Sequence, residues 1–300
     1  MTKRKAELCL LLLALIWGST FVLMEDAIKS VPPFAFLTIR FAIASVCLIF
    51  IVIFIRRTPI MCKSIWLLGF VLGGLLALGF ALQILSLLST TSGNSAFFNS
   101  AVVVIVPVFS FLLLSTPLTT RLIFSLAIVM FGLYLLSGSQ LGSMNHGDFL
   151  AFLGAFPFAV HIVCIKKWGT TLPVFSLVAI QMIFATFFCG LATLLWEPWQ
   201  KVLAPNVISQ PSVWIAITIC SLLATIGAYL MLAYLQRYTT PNRAALILTT
   251  EPVFAAGIDY MWNQVTITDW RLLGCFLIIV GIIWGQQEKK MGNLNSASSA

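Results

Sequence analysis

Long apolar runs alternate with short polar segments along almost the whole chain. A helix needs about 20 mostly apolar residues to cross roughly 30 Å of hydrocarbon, and the pattern predicts ten such helices joined by short loops. Their expected bounds are 8–24, 34–55, 66–88, 94–114, 122–138, 148–165, 174–196, 213–235, 243–260 and 270–287. We therefore predict an all-α membrane protein with no room for a soluble domain.

The composition agrees with a lipid-facing surface. Hydrophobic residues make up 60% of the 300 residues and charged residues 9%, whereas roughly 25% of a soluble globular protein is charged. So few charges could not cover the surface of a soluble fold. The same figures exclude a disordered chain, a coiled coil and a secreted disulfide scaffold.

The positive charges predict the orientation of the helices. The net charge is +8, and with a cytoplasmic N-terminus 13 of the 17 Lys and Arg residues fall on the cytoplasmic side. Lys29, Lys201 and Arg271 fall outside, and Arg40 lies within a helix. Cytoplasmic loops of membrane proteins are enriched in Lys and Arg, so we expect a cell-membrane protein with both termini in the cytoplasm. The excess of positive charge thus reflects the membrane topology, and we expect no nucleic-acid partner.

Two parts of the chain repeat each other. The spacing from Gly79 to Asn94 recurs from Gly227 to Asn242, and Pro107-Val108-Phe109 recurs as Pro252-Val253-Phe254. An earlier offset places Trp17 opposite Phe158, Thr20 opposite His161 and Arg40 opposite Gln181.

The repeat divides the protein into halves at 1–140 and 147–290, followed by a disordered tail at 291–300. Each half has five predicted helices, and because five is odd, the second half enters the membrane inverted. Inverted repeats build many secondary transporters, whose substrate site lies near the midplane between the repeats.

Four sequence motifs point to one family. They are Trp17-Gly18-Ser19-Thr20-Phe21, Phe36-Leu37-Thr38-Ile39-Arg40-Phe41, Thr90-Thr91-Ser92-Gly93-Asn94-Ser95-Ala96 and Glu251-Pro252-Val253-Phe254. In their order and spacing, the chain resembles EamA-type members of the drug/metabolite transporter superfamily over nearly its whole length. The resemblance implies a ten-helix exporter or permease whose central cavity is lined mainly by helices 1–4 and 6–9. It also implies that helices 5 and 10 are peripheral or mediate homo-oligomerisation.

Three ionisable residues lie within predicted helices: Arg40, His161 and Glu251. Such a group costs at least ~2.5–3.5 kcal/mol in hydrocarbon and is a functional candidate by default. Arg40 could bind an anionic group and Glu251 a cationic one, which would suit zwitterionic amino acids. Alternatively, the two residues form a permanent structural salt bridge, since either charge alone would be costly.

Proton coupling is a further role for two of these residues. Glu251 could take up a proton and couple export to the proton gradient. His161 could take part in a proton relay, or it could be a packing histidine bonded to a carbonyl group.

The remaining site candidates are polar, aromatic or proline residues within the helices. Amide side chains in membranes often join helices rather than bind ligands, and Trp17 is the one tryptophan distant from the helix ends. Two prolines, Pro107 and Pro252, are expected to bend helices four and nine. The other cavity candidates are Trp17, Gln83, Asn94, Asn99, Gln181 and Tyr229.

Motifs for other functions are absent from the sequence. There is no phosphate loop, HExxH motif, metal-ligand cluster or catalytic Ser/His/Asp arrangement, so we expect neither an enzyme nor a bound cofactor or metal. We predict a secondary transporter that exports small metabolites, amino acids first. Drug or cation efflux, or small-solute uptake, is the alternative on the same scaffold. An intramembrane enzyme or a lipid-handling protein is the alternative from another class.

Overall fold

The structure, a computed structural model, describes residues 1–60, 62–137, 144–263 and 268–287. Every regular element in these ranges is a helix. The tail predicted at 291–300 lies outside the described residues, as do the C-terminal ends of both predicted halves.

The first part of the chain forms six α-helices. The second of them continues through a π-helical segment, Ile51–Arg56, in which each turn holds an extra residue. The helices are α1 (Lys3–Ala27), α2 (Pro33–Phe50), α3 (Lys63–Ser86), α4 (Ser92–Asn99), α5 (Val102–Leu114) and α6 (Thr120–Leu136).

The second part forms eight more α-helices, with a π-helical segment after α7 (Ile165–Gly169) and another between α10 and α11 (Leu222–Gly227). A 3₁₀ turn, Trp199–Leu203, follows α8. The helices are α7 (His146–Cys164), α8 (Val174–Trp196), α9 (Pro205–Ile208), α10 (Pro211–Ser221), α11 (Ala228–Leu235), α12 (Pro241–Leu248), α13 (Glu251–Asn263) and α14 (Asp269–Gln286).

Eight helical segments in the described part of the chain are long and apolar enough to cross a membrane. They correspond to eight of the ten predicted helices. The fifth predicted helix is α6, which is apolar but has 17 residues. The ninth is divided into α12, of 8 residues, and α13, of 13 residues.

Two of the predicted helices are broken, at Ser100–Ala101 between α4 and α5 and at Thr249–Thr250 between α12 and α13. At both breaks a hydroxyl group bonds to the carbonyl four residues earlier. Ser100 Oγ donates to Ala96 O at 2.8 Å, and Thr249 Oγ1 donates to Ala245 O at 2.7 Å. Such bonds compete with the main-chain ladder and bend helices.

The two prolines predicted as bends stand differently relative to these breaks. Pro252 is the second residue of α13, directly after its break. Pro107 lies inside α5, several residues beyond the break that precedes that helix. The breaks therefore lie at the hydroxyl residues, with Pro252 directly after the second break and Pro107 further along the helix after the first.

Helices α6 and α14, the fifth and tenth of the prediction, pack along each other within the chain. A Cβ on Gly274 would lie 2.6 Å from the carbonyl oxygen of Gly132, so only glycine permits this approach of the two backbones. Ser125 Oγ, on α6, donates to Gly281 O at 2.6 Å. Small residues and short polar contacts of this kind join helices in membranes.

Carboxylates hold helix N-termini together at one end of the bundle. Glu197, directly after α8, accepts hydrogen bonds of 2.8 Å from the backbone N–H groups of Phe34 and Ala35 at the start of α2. Glu25, near the end of α1, accepts from Ser92 N at 3.1 Å at the start of α4. A carboxylate is well placed at a helix N-terminus because the free N–H groups there carry partial positive charge.

At the opposite end, cations hold the carbonyl end of a helix. Lys166 Nζ donates to Gln236 O at 2.7 Å and to Thr239 O at 2.9 Å, just after α11. Arg243, on α12, forms an ion pair of 3.1 Å with Glu7 of α1. These contacts tie α7 and α1 to the turn between α11 and α12.

Candidate functional site

A cavity of about 70 Å³ lies between the two parts of the chain. It is lined by residues of α1, α2, α3, α4, α5, α7, α11, α12 and α13, and by the two helix breaks. Seven residues proposed from the sequence line it: Trp17, Arg40, Gln83, Asn99, His161, Tyr229 and Glu251.

Arg40 is the largest fully buried side chain, and its guanidinium is held by neutral groups. Nε donates to Thr225 Oγ1 at 2.7 Å, Nη2 to Ala224 O at 3.4 Å and Nη1 to Met24 Sδ at 3.3 Å. Its Cζ atom lies 4.4 Å from the ring centroid of Phe80, a cation–π contact. A guanidinium has five N–H donors, so two remain for a ligand. None of the described carboxylates forms an ion pair with it.

The π-helical segment Leu222–Gly227 provides the acceptors for Arg40. In this segment the Thr225 hydroxyl donates to Cys220 O, five residues earlier, at 2.7 Å. The carbonyl oxygen of Ala224, which accepts from Arg40, also accepts a 2.9 Å bond from Trp17 Nε1. Single π-helical turns occur frequently at functional sites. The sequence analysis missed Thr225, for which the only signal is a hydroxyl residue in the middle of an apolar helix.

Glu251 is the first residue of α13 and also lines the cavity. Within the described part of the chain, its carboxyl group makes no hydrogen bond and no ion pair. Arg40 and Glu251 therefore face one cavity without pairing. The permanent salt bridge that the sequence left open is not formed in this structure.

Aromatic rings form much of the cavity wall. Trp17 packs against Tyr229 with 5.5 Å between ring centroids, and Phe80 packs edge-on against Phe158 at 5.0 Å. Tyr229 also contacts Phe80 at 6.4 Å. The repeat had placed Trp17 opposite Phe158, and both residues line the cavity. That pairing was the signal that could have added Phe158 to the candidates.

His161 lines the cavity, with Gln181 directly behind it. His161 Nε2 lies 3.3 Å from Gln181 Oε1, and its ring packs edge-on against Tyr229. Gln181 is buried on α8 but does not line the cavity. The partner of His161 is therefore a side-chain amide rather than a backbone carbonyl.

The amide candidates of the first half lie in different places. Gln83 and Asn99 line the cavity, and the Oε1 and Oδ1 atoms of their side chains are buried without a hydrogen-bond partner among the described residues. Asn94 lies in the first turn of α4, outside the cavity lining. Sequence alone could not separate Asn94 from Asn99, because both lie on one short helix.

Metal-ligating side chains do not cluster at this site. Across the described residues, no group of three or more His, Cys, Asp or Glu side chains could hold a metal ion.

Comparison with known proteins identifies the family. The EamA-like transporter family matches this sequence twice, over residues 4–138 and 145–284. The chain belongs to this family. An uncharacterized transporter of Archaeoglobus fulgidus is 32% identical over 278 residues, which cover 93% of this chain and 84% of the relative. A solved crystal structure with 17% sequence identity superposes with a TM-score of 0.76 and covers 94% of this chain and 96% of its own, which shows the same fold.

Membership of this family establishes the general fold and function of the molecule. The family predicted from the four motifs is confirmed, and the two matches fit a fold of two repeats. The protein is a multi-pass membrane transporter of small molecules. Family and relative alike indicate a transporter rather than an enzyme.

Proposed function

We propose that this EamA-family protein is a secondary transporter that exports small zwitterionic metabolites, amino acids first, across the cytoplasmic membrane by alternating access. Arg40 binds the carboxylate of the substrate and Glu251 binds its ammonium group. The observation that carries the proposal is that these two residues line one cavity and do not pair with each other. Arg40 is buried and Glu251 half-buried, and neither has an ion-pair partner among the described residues. A charge without a partner is costly inside a protein, and a zwitterion supplies a partner for each.

The proposed topology has ten spans in two inverted repeats, 1–140 and 147–290, with both termini in the cytoplasm. The eight long apolar helices are joined by α6 and by the broken pair α12–α13. The placement of 13 Lys and Arg residues on one side supports this orientation. Cysteine residues introduced at Thr2 and at Gln200 should react with a membrane-impermeant thiol reagent from opposite sides.

The volume of the cavity favours a small substrate. About 70 Å³ holds roughly five water molecules, if each needs about 10–15 Å³. Alanine and serine, with six and seven non-hydrogen atoms, are of that size. Larger substrates would require a more open cavity than the one in this structure.

Proton coupling is proposed at Glu251, with His161 as the second candidate. A substrate ammonium and a proton would compete for the Glu251 carboxylate. Export of the substrate would then be exchanged for entry of a proton. Replacing Glu251 with Gln should abolish any dependence of transport on a pH gradient. Dependence that persists in that variant would shift the coupling to His161.

The test of the function is counterflow in proteoliposomes across a labelled panel of amino acids and organic cations, with and without a pH gradient. We expect flux of small neutral amino acids in the wild type, and its loss in Arg40→Ala. Wild-type flux in Arg40→Ala would remove Arg40 from the site. Flux of no panel member under either condition would overturn the function.

Drug or cation efflux is the second candidate. It is favoured by the Glu251 carboxylate, which has no ion-pair partner among the described residues and lines the cavity, where it would also accept an organic cation. Efflux of a cation that lacks a carboxylate should be insensitive to Arg40→Ala but lost in Glu251→Gln. The same panel therefore separates the two candidates.

Homo-oligomerisation through helices five and ten remains a prediction. The glycine faces of α6 and α14 already contact each other within the chain. A second copy would have to contact their outward faces, where Phe124, Phe131 and Phe276 are exposed. The mass of the protein in lipid nanodiscs tests this directly.

A further inference from the structure

Two side chains that line the cavity carry buried amide oxygens that none of the described residues satisfies. Gln83 is 4% exposed, yet neither its Oε1 atom nor Oδ1 of Asn99 has a partner among the described residues. Both residues line the cavity that also holds Glu251. Buried polar atoms are nearly always hydrogen-bonded in native proteins, so each unpaired oxygen calls for a specific explanation.

Two prolines add main-chain acceptors at the same place. Proline has no N–H group and cannot donate to the carbonyl four residues earlier in a helix. Pro107 and Pro252 therefore leave the carbonyl oxygens of Val103 and Leu248 without their usual helical donor. Val103 and Leu248 both line the cavity, one at each helix break.

The aromatic rings of the cavity are not arranged as a free cage for a methylated cation. The face of Phe80 is covered by the Arg40 guanidinium, whose Cζ lies 4.4 Å from the ring centroid. Trp17 and Tyr229 pack against each other. A quaternary ammonium, which carries no N–H, would leave the free oxygens of Gln83 and Asn99 unpaired.

We propose that Gln83, Asn99 and Glu251 form a subsite for a primary ammonium group and make the transporter selective against N-methylated substrates. A primary ammonium has three N–H donors and no acceptor, which matches one carboxylate and two amide oxygens. This inference rests on the proposed function, because it assigns the chemistry that surrounds the amino group of the substrate.

The test is competition against labelled alanine counterflow in proteoliposomes. The competitors are alanine, N-methylalanine and N,N,N-trimethylalanine for the amino group, and alaninamide for the carboxylate. We expect the half-inhibiting concentration to rise by about tenfold for each hydrogen bond lost on methylation. In Gln83→Leu and Asn99→Leu the preference for alanine over its trimethyl form should fall at least tenfold, while the preference over alaninamide stays.

Asn94→Leu is the matched control, since it makes the same change on the same helix outside the cavity lining. It should leave both preferences unchanged. Gln83→Glu keeps an acceptor of the same shape, so it should retain the preference for alanine even if Gln83→Leu does not fold.

Three outcomes contradict the inference. Equal inhibition by alanine and its trimethyl form, with discrimination against alaninamide intact, would overturn the ammonium subsite and leave the proposed function standing. An unchanged preference for alanine over its trimethyl form in both Gln83→Leu and Asn99→Leu would also overturn the ammonium subsite and leave the proposed function standing. Absence of counterflow for alanine and every other zwitterion of the panel would overturn both.

Discussion

Arg40 and Thr225 are joined by a 2.7 Å hydrogen bond between the guanidinium Nε and the hydroxyl oxygen. The two residues are 185 positions apart and belong to opposite repeats. The Thr225 hydroxyl proton is directed to Cys220 O, so its oxygen is left free to accept. Thr225 thus helps to position the Arg40 guanidinium, although Thr225 itself does not line the cavity.

Replacing Thr225 with Val should weaken recognition of the substrate carboxylate, because Arg40 loses its shortest hydrogen bond. A hydrogen bond to a charged group contributes about 1.5–3 kcal/mol, so we expect the preference for alanine over alaninamide to fall by at least about tenfold. Thr225→Ser keeps the hydroxyl and should retain the preference. A Val variant with the wild-type preference would show that Thr225 does not position Arg40.

The contact between Glu197 and the start of α2 should affect the pH dependence of stability. Burial raises the pKa of the Glu197 carboxyl, and the two N–H groups of Phe34 and Ala35 oppose this shift. The folded protein therefore holds the proton more tightly than the unfolded chain. The contribution of this group to stability is consequently lost as pH rises through its folded pKa.

We accordingly expect wild-type protein to lose more thermal stability than Glu197→Gln as the pH rises above about 4.3, the ordinary pKa of a Glu carboxyl. The unfolding midpoints of both proteins in nanodiscs, measured below and above this pH, check the prediction. Parallel pH profiles for the two proteins would contradict it.

The packing of α6 on α14 should not tolerate a methyl group at Gly274. A Cβ there would lie 2.6 Å from Gly132 O and 2.7 Å from Leu136 N. Overpacking of this kind costs about 1–3 kcal/mol, so Gly274→Ala should lower the unfolding midpoint. Gly257→Ala on α13 is the matched control, because a Cβ there meets nothing within 4 Å. The control should have the wild-type midpoint or a higher one, since alanine favours helix.

Lys166, in the π-helical segment that follows α7, should protect the turn that follows α11. Lys166→Met removes the bonds to Gln236 O and Thr239 O, so the neighbouring Cys164, which is buried, should react faster with a thiol reagent. The measurement uses a chain whose other cysteines are replaced by alanine. Lys167→Met is the control, since Lys167 instead packs against the ring of Trp168. Equal labelling rates in both variants would contradict the role of Lys166.

Much of the fold could be predicted because the signals are long and local. Runs of about 20 apolar residues are unambiguous, and the repeat of Gly79 and Asn94 at Gly227 and Asn242 indicated the two halves. The breaks were harder to place. The sequence directed attention to Pro107, whereas the break in the helix lies several residues earlier, at Ser100–Ala101, where the Ser100 hydroxyl donates to Ala96 O.

The candidate site was predictable where a charge had to lie in hydrocarbon, as for Arg40 and Glu251. It was not predictable where a neutral residue contributes only because of the local backbone conformation. Thr225 and Ala224 contact Arg40 because they lie in a π-helical segment. Nothing in the apolar sequence around them indicates that a turn of the helix holds an extra residue there. Likewise, Gln181 and Gln83 look alike in sequence, but only Gln83 lines the cavity.

The carbonyl oxygen of Ala224 binds both Trp17 and Arg40, and this acceptor belongs to the main chain of a residue that is already alanine. An alanine scan of the protein would pass over it without effect, and libraries of side-chain variants would reach it only indirectly. Its contribution can be measured by chemistry that changes the backbone itself, such as an ester in place of the following amide, which weakens the carbonyl as an acceptor. For this transporter, a residue that is silent in mutagenesis can still hold two side chains, Trp17 and Arg40, that line the cavity.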